Sequence, residues 1–215
     1  MVAVDGPSGA GKSSASRGAA IALGLRYLDT GSMYRALTWW LLDQGVEVSD
    51  AAAVARLAAE PVIEVGTDPL APWTRVNGTD VSAAIRTPEV TAAVSTVAAV
   101  PRVRARLIAQ QREIIANAQG IVAEGRDIGT VVAPDAQVKV FLTAEGAARA
   151  DRRAAEASWS AISPQQTQVE LDRRDRLDAA QSGTAVDAVE IDSTQLGLDQ
   201  VVDVIVGLAQ LARPR

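Results

Sequence analysis

Eight residues near the start of the chain, Gly6-Pro7-Ser8-Gly9-Ala10-Gly11-Lys12-Ser13, carry the spacing G-x-x-x-x-G-K-[ST]. Glycines in such a loop let the backbone close around an anion without Cβ clashes. Successive amide N–H groups and the N-terminus of a following helix then point at phosphate oxygens. Lys12 is suited to reach the β and γ phosphates of a nucleoside triphosphate. The Ser13 hydroxyl is the candidate Mg²⁺ ligand, and Ser14 adjoins it as a further binding position. The pattern signifies phosphate binding only between a strand and a helix. Val2-Ala3-Val4 before it is short and apolar; the Ala-rich run from Ser14 to Leu23 after it stops at Gly24, a C-cap residue.

Three further constellations could act on what the loop holds. Asp29-Thr30-Gly31-Ser32-Met33-Tyr34-Arg35 closes a second strand, where ligands of open α/β sheets bind. Thr30 and Ser32 can equally serve as helix caps, and Arg35, one turn on, can reach into the cleft. Arg126-Asp127 follows Glu124-Gly125 at another strand end, where the backbone is expected to turn. Arg149, Arg152 and Arg153 stand at i, i+3 and i+4 and share one helix face; Arg173, Arg174 and Arg176 come later. Phosphoryl transfer is mostly positioning plus neutralisation of charge, which the planar guanidinium suits. Spacing alone leaves two readings of these arginines open. One is a solvated face paired with Asp151, Glu156, Glu170 and Asp172; the other is a mobile lid brought onto substrate.

The elements that must position these groups alternate. A helix over Lys12–Leu23, a strand at Arg26–Leu28 and a helix over Met33–Leu42 point to a parallel α/β sheet. Residues 49–85 differ in texture: an Ala-rich helix from Ser49-Asp50, a strand at Pro61–Val65, and a hairpin over Thr74–Val81 turning at Asn77-Gly78. An antiparallel hairpin does not fit a parallel core, so this stretch is expected to be a small insert. Helices follow over Glu89–Ala99 and Arg102–Ala118. Buried strands are expected at Ile121–Ala123 and Val138–Leu142, and a charged helical stretch from Glu145 to Ala180 breaks near Ser163-Pro164. A last strand is expected at Val186–Ile191 and an amphipathic helix at Leu198–Leu211. The expected division is a core of 1–48, 86–143 and 186–215, an insert of 49–85 and a lid of 144–180.

Composition narrows the chemistry. The 215 residues contain no histidine and no cysteine, which removes His-based acid–base chemistry, thiolate nucleophiles and His or Cys metal sites. A net charge of −5 argues against non-specific binding of nucleic acid polymers. The only lysines are Lys12 and Lys139, neither preceded by Asn, so the guanine-reading Asn-Lys-x-Asp of a GTPase is absent. The first residues already read as the strand before the loop, and no apolar run is long enough to span a bilayer. A cytoplasmic protein with no membrane partner is expected.

In order along the chain, Gly6–Ser13, Asp29–Arg35, Val81-Ser82-Ala83-Ala84-Ile85-Arg86, Val97–Arg104, Glu124–Thr130, Pro134-Asp135-Ala136, Arg173-Arg174-Asp175 and Ile191-Asp192-Ser193-Thr194 resemble bacterial cytidylate kinases. The resemblance implies a phosphate-loop NTPase fold: a five-stranded parallel sheet flanked by helices, with a small antiparallel insert and a helical lid. It implies transfer of a phosphoryl group from ATP to CMP or dCMP with Mg²⁺, in a protein expected to be a monomer. By matching motifs, Thr30, Tyr34, Arg35 and Arg126 would surround the CMP phosphate and ribose. Ser95, Arg104 and Asp127 would read the cytosine edge, Arg174 and Asp178 would approach ribose and phosphate, and Arg149, Arg152 and Arg153 would be lid arginines. Lys12, Arg126, Asp127 and the lid arginines would then form the catalytic set. One departure stands out. After Asp178 the family usually carries an arginine three residues on and then Pro-Leu; here Ala179–Val186 is shorter and lacks both. A kinase for another small acceptor, such as UMP, and a non-catalytic nucleotide-binding protein are the alternative readings.

Overall fold

The computed structural model describes residues 1–154 and 163–212. Five parallel strands form the central sheet in the order β2-β6-β1-β7-β8: β1 (Val2–Asp5), β2 (Arg26–Asp29), β6 (Ile121–Gly125), β7 (Val138–Thr143) and β8 (Val189–Asp192). A separate antiparallel sheet comprises β3 (Ile63–Val65), β4 (Thr74–Val76) and β5 (Thr79–Asp80).

Side chains alternate across a strand, and both faces of the central sheet are covered. Val2 and Val4 of β1 pack with Val122, Val140, and Ala15 and Ala19 of α1 (Lys12–Leu23), and with Val201 and Ile205 of α8 (Leu198–Leu211). Ala3, between them, faces the other way, into a core with Leu37 of α2 (Thr30–Asp43), Val97 of α4 (Pro88–Ala98) and Leu107 of α5 (Pro101–Ala116). Ile63 and Val76 of the small sheet join this second core, as does Val54 of α3 (Ala51–Leu57). Double coverage explains why the central strands read as continuous apolar runs.

Register brings the chemistry to one edge. Asp5 pairs with Gly125 and Phe141, and Asp29 with Glu124, so the strand ends that carry the candidate residues lie side by side. Local signals set several boundaries. Gly24 closes α1 in the left-handed region with φ 66°, and Asn77 and Gly78, both at positive φ, form the two-residue turn.

Three boundaries differ from the sequence expectation, while the break near Ser163-Pro164 falls as expected. Helix α2 starts at Thr30, because Asp29, not Thr30 or Ser32, is its cap: the Asp29 carboxylate accepts from the Ser32 amide. Strand β6 runs on through Gly125, so Glu124 is an in-sheet residue and the turn comes after it. Strand β8 begins at Val189; the preceding residues turn, with Ala188 N–H donating to Ala185 C=O and Asp187 drawn to Lys139. The charged stretch folds as α6 (Gly146–Ala154) and α7 (Pro164–Asp178), the latter opened by a Ser163/Gln166 capping box. Glu156 lies outside the described residues.

Candidate active site

The loop from Gly6 to Ser13 wraps over the end of β1. At Gly6, with φ 147°, an added Cβ would stand 2.1 Å from the Leu142 carbonyl oxygen, so no side chain fits. Gly11 caps α1 at φ 89° and aims the first amides of the helix outward. Lys12 Nζ donates to the Pro7 carbonyl at 2.8 Å. Burial presses its pKa down, with Arg126 adding to the effect and Glu124 opposing it.

Beneath the loop, Glu124 is almost wholly buried. One carboxylate oxygen accepts from Ser13 Oγ at 3.0 Å and the other from the Tyr27 hydroxyl. Burial raises its pKa, and so does nearby Asp29, while Lys12 pulls it down. Thr30 Oγ1 donates to the Glu124 carbonyl at 2.7 Å, which locks the neighbouring strand ends together. Asp5 accepts from the amides of Ile128 and Gly129, both at 2.8 Å. It thereby holds the single π-helical turn Ile128–Val132 that follows Asp127.

Arg126 and Asp127 do not neutralise each other. Arg126 extends across the loop: one nitrogen donates to the Gly6 carbonyl at 3.0 Å and another lies 2.8 Å from Asp178. Asp127 accepts instead from Arg104. Arg35 is buried and donates to Thr91 Oγ1 at 2.8 Å and to the Ile85 carbonyl at 3.2 Å. Burial, then Arg174 and Arg153, lower its pKa to about 9; burial, then Arg126, lower that of Arg174 to about 10. Both guanidinium groups stay charged at neutral pH.

Arg149, Arg152 and Arg174 turn inward rather than forming a solvated face. Arg149 donates to the Ser8 carbonyl at 3.0 Å and to Asp175 at 2.5 Å; Arg152 donates to Ser193 Oγ at 2.9 Å; Arg174 donates to Ser8 Oγ at 3.1 Å. Arg173, by contrast, turns outward to Glu170.

One cavity of about 490 Å³ collects these groups. Ser8 through Ser14 line it, as do Thr30, Tyr34, Arg35, Ser95, Arg104, Arg126, Asp127, Arg152, Arg153, Arg174 and Asp178. Gly6, Pro7 and Arg149 are outside its lining; Arg149 supports the loop from behind. Asp29, Arg86, Glu124, Gln181 and Ser193 also line the cavity; all but Gln181 fall within the sequence motifs, which assign them no role of their own. Glu124 had a usable signal: a carboxylate at the end of a strand destined to lie beside the phosphate loop. Gln181 occupies the shortened segment after Asp178, where the family's arginine is missing. Among the described residues, no cluster of three or more acidic side chains forms a metal-binding cage, and no helix is long and apolar enough to cross a membrane.

A family model described as cytidylate kinase matches residues 2–211. The chain belongs to the cytidylate kinase family. It is 52% identical to a cytidylate kinase of Streptomyces griseus subsp. griseus over 215 residues, covering 98% of this chain and 92% of the relative. It is 48% identical to one of Nocardia farcinica over 94% of this chain and 90% of the relative. Among solved structures, a gluconokinase from Sinorhizobium meliloti 1021 superposes with a TM-score of 0.53 at 17% identity, covering 99% of this chain and 93% of that one. That likeness is one of fold. Membership of the cytidylate kinase family makes the chain a phosphotransferase that acts on a phosphate-group acceptor.

Proposed function

We propose that this chain transfers the γ-phosphoryl group of ATP to CMP or dCMP, giving ADP and CDP or dCDP. One observation carries the reading. The cavity beside the phosphate loop is lined by eight cationic side chains against four carboxylates, in a chain whose net charge is −5. Cations gathered against the overall charge focus the field for polyphosphate.

The donor triphosphate takes the amides of Gly6–Ser14, with Lys12 leaving the Pro7 carbonyl to follow the γ phosphate. Arg152 and Arg153 neutralise the transferring group, and Arg149 supports the loop. Arg35, Arg126 and Arg174 take the acceptor phosphate, with Thr30, Tyr34 and Asp178 beside it, and Ser95, Arg104 and Asp127 read the base edge. The acceptor is already a phosphate oxygen, so no strong base is required, in agreement with a chain devoid of histidine. Mg²⁺ fits the donor set: the Ser13 hydroxyl backed by the Glu124 carboxylate is the sparse protein contribution expected of an ion held mainly by phosphates and water. When bound, Mg²⁺ neutralises charge on the β and γ phosphates. Residues 49–85 close over the acceptor and 144–180 over the donor in this reading. The enzyme acts as a cytoplasmic monomer, since one chain supplies every charge the reaction needs.

A coupled assay of ADP release with CMP, dCMP, UMP, AMP and shikimate tests the assignment. CMP and dCMP are expected to be turned over fastest; faster turnover of any of the other three overturns it. Light scattering at 22.4 kDa checks the monomer.

A further inference from the structure

Behind the base end of the cavity lies a polar group that no step above uses. Gln111 sits in the middle of α5 at 1% exposure, in a helix face otherwise filled by Val103 and Leu107. A carboxamide in such a position is costly unless hydrogen-bonded. Among the described residues its Nε2 has no hydrogen-bond partner in good geometry. Two more buried orphans lie on the neighbouring helices: the Tyr34 hydroxyl on α2 and Ser95 Oγ on α4. Tyr34 and Ser95 both line the cavity, whereas Gln111 does not. The Gln111 carboxamide lies next to the Tyr34 hydroxyl and favours its ionised form, against the burial that raises the phenol to about 12; the two groups nevertheless fall short of hydrogen-bond geometry. Arg104, one of the base-edge residues, is on the same helix as Gln111 two turns earlier.

Orphaned buried polar atoms are rare in folded proteins, and three on the adjoining helices α2, α4 and α5 call for a reason. A stability argument gives none, because an apolar side chain at position 111 would remove an unsatisfied amide from the core. A functional one does. We propose that Gln111 is a positioning residue for the acceptor base: with the pyrimidine seated, its amide donates to the Tyr34 hydroxyl and fixes that ring as one wall of the base slot. Tyr34 is the group that touches the acceptor, and Gln111 acts through it. The inference rests on the assignment of CMP as acceptor. It adds a residue selected for base placement at a cost in stability, a trade common at functional sites.

The test compares wild type, Gln111→Leu, Tyr34→Phe and the double variant. CMP and ATP kinetics, calorimetric binding of CMP and thermal unfolding are measured for each. Gln111→Leu is expected to raise the KM and Kd for CMP about tenfold. The KM for ATP should stay within about twofold, and the melting temperature should be equal to wild type or higher. In the Tyr34→Phe background the same substitution should add nothing, because the hydroxyl it acts through is gone. Gln111→Met serves as a second apolar variant of similar length should the leucine pack badly. An unchanged affinity for CMP in both variants overturns the proposal. So does a fall in melting temperature that worsens both substrates together, or a full additive effect without the Tyr34 hydroxyl. Wild type that fails to phosphorylate CMP overturns the acceptor assignment and this inference with it; active wild type with unaffected Gln111 variants overturns only the latter.

Discussion

Arg126 lies 2.8 Å from Asp178, reaching past its own chain neighbour Asp127, which Arg104 holds. Two adjacent residues at one strand end therefore serve opposite sides of the cavity, and their substitution should separate two kinds of damage. Arg126→Ala removes a guanidinium that also donates to the Gly6 carbonyl, and is expected to lower kcat by about 10²–10³-fold. Asp127→Ala frees Arg104 and is expected to raise the KM for CMP while leaving ATP binding intact. Titration of each variant with both nucleotides decides this; equal loss of CMP and ATP affinity in Asp127→Ala would count against base reading.

Lys12 is half-buried and tied back to Pro7, so it adds little to the fold beyond its own loop. Lys12→Ala should cut turnover by about 10²–10³-fold and leave the melting temperature near that of wild type, since its desolvation disfavours the charged state in any case. Near-normal turnover would refute a role at the transferring phosphate.

The pair beneath the loop is structural and chemical at once. Tyr27 donates to Glu124, and Glu124 accepts from Ser13. Tyr27→Phe leaves a buried carboxylate short of one donor, which should cost about 1–3 kcal/mol of stability. It should also weaken the dependence of ADP binding on Mg²⁺. Denaturant melts and calorimetry with and without Mg²⁺ provide both readings, and unchanged stability would show that Glu124 is satisfied by other means.

Much of this arrangement could be read from local sequence and much could not. The ends of α1 and α8 and the Asn77-Gly78 turn follow from caps and periodicity within a few residues, and the loop spacing announced phosphate. Glu124 escaped notice as a hub because its partners Ser13 and Tyr27 stand 111 and 97 residues away; only the parallel register brings them together. The split of Arg126 from Asp127 depends on the last turn of α7, and the place of Arg149 behind Ser8 on how α6 docks. Helical spacing grouped Arg149 with Arg152 and Arg153, but the approach of the helix decides which of them faces the cavity.

A pH dependence follows from Arg35. Burial and two neighbouring guanidinium groups lower its pKa to about 9 in the free protein, so it carries charge below that pH and loses it above. A phosphate in contact with it favours the charged form and moves the transition upward. Since kcat/KM reports groups of the free enzyme and kcat those of the complex, kcat/KM for CMP should fall as pH rises through about 9. The kcat should stay level to a higher pH. Arg35→Lys should move that fall to lower pH, because lysine starts from a lower pKa in the same buried, cationic surroundings, and should weaken CMP binding, because a point charge replaces a fork that also holds Thr91 and Ile85. Parallel decline of kcat and kcat/KM would place the titrating group elsewhere.

The helices that carry Arg149, Arg152, Arg153 and Arg174 rest on polar contacts. In α6 and α7 the buried apolar residues are Ala150 and Leu171 alone among the described residues, whereas α1 buries Ala15, Ala19 and Ala20, and α8 buries Val201 and Ile205 with Val206, Leu208 and Ala209 packed beside them. What attaches α6 and α7 to the loop is Arg149 on the Ser8 carbonyl, Arg174 on Ser8 Oγ, Asp175 accepting from the Ser8 amide and Arg152 on the Ala10 carbonyl. Segments with few buried apolar contacts open locally at low free energy. Amide exchange in α6 and α7 of the free protein should therefore outpace that in α1 and α8. A bound triphosphate offers Arg152 and Arg174 stronger, charge-assisted partners, so an ATP analogue with CMP should slow exchange in these helices more than in the core. Protection in α6 and α7 equal to that of α1 without ligand would show a fixed cover rather than one that closes on substrate.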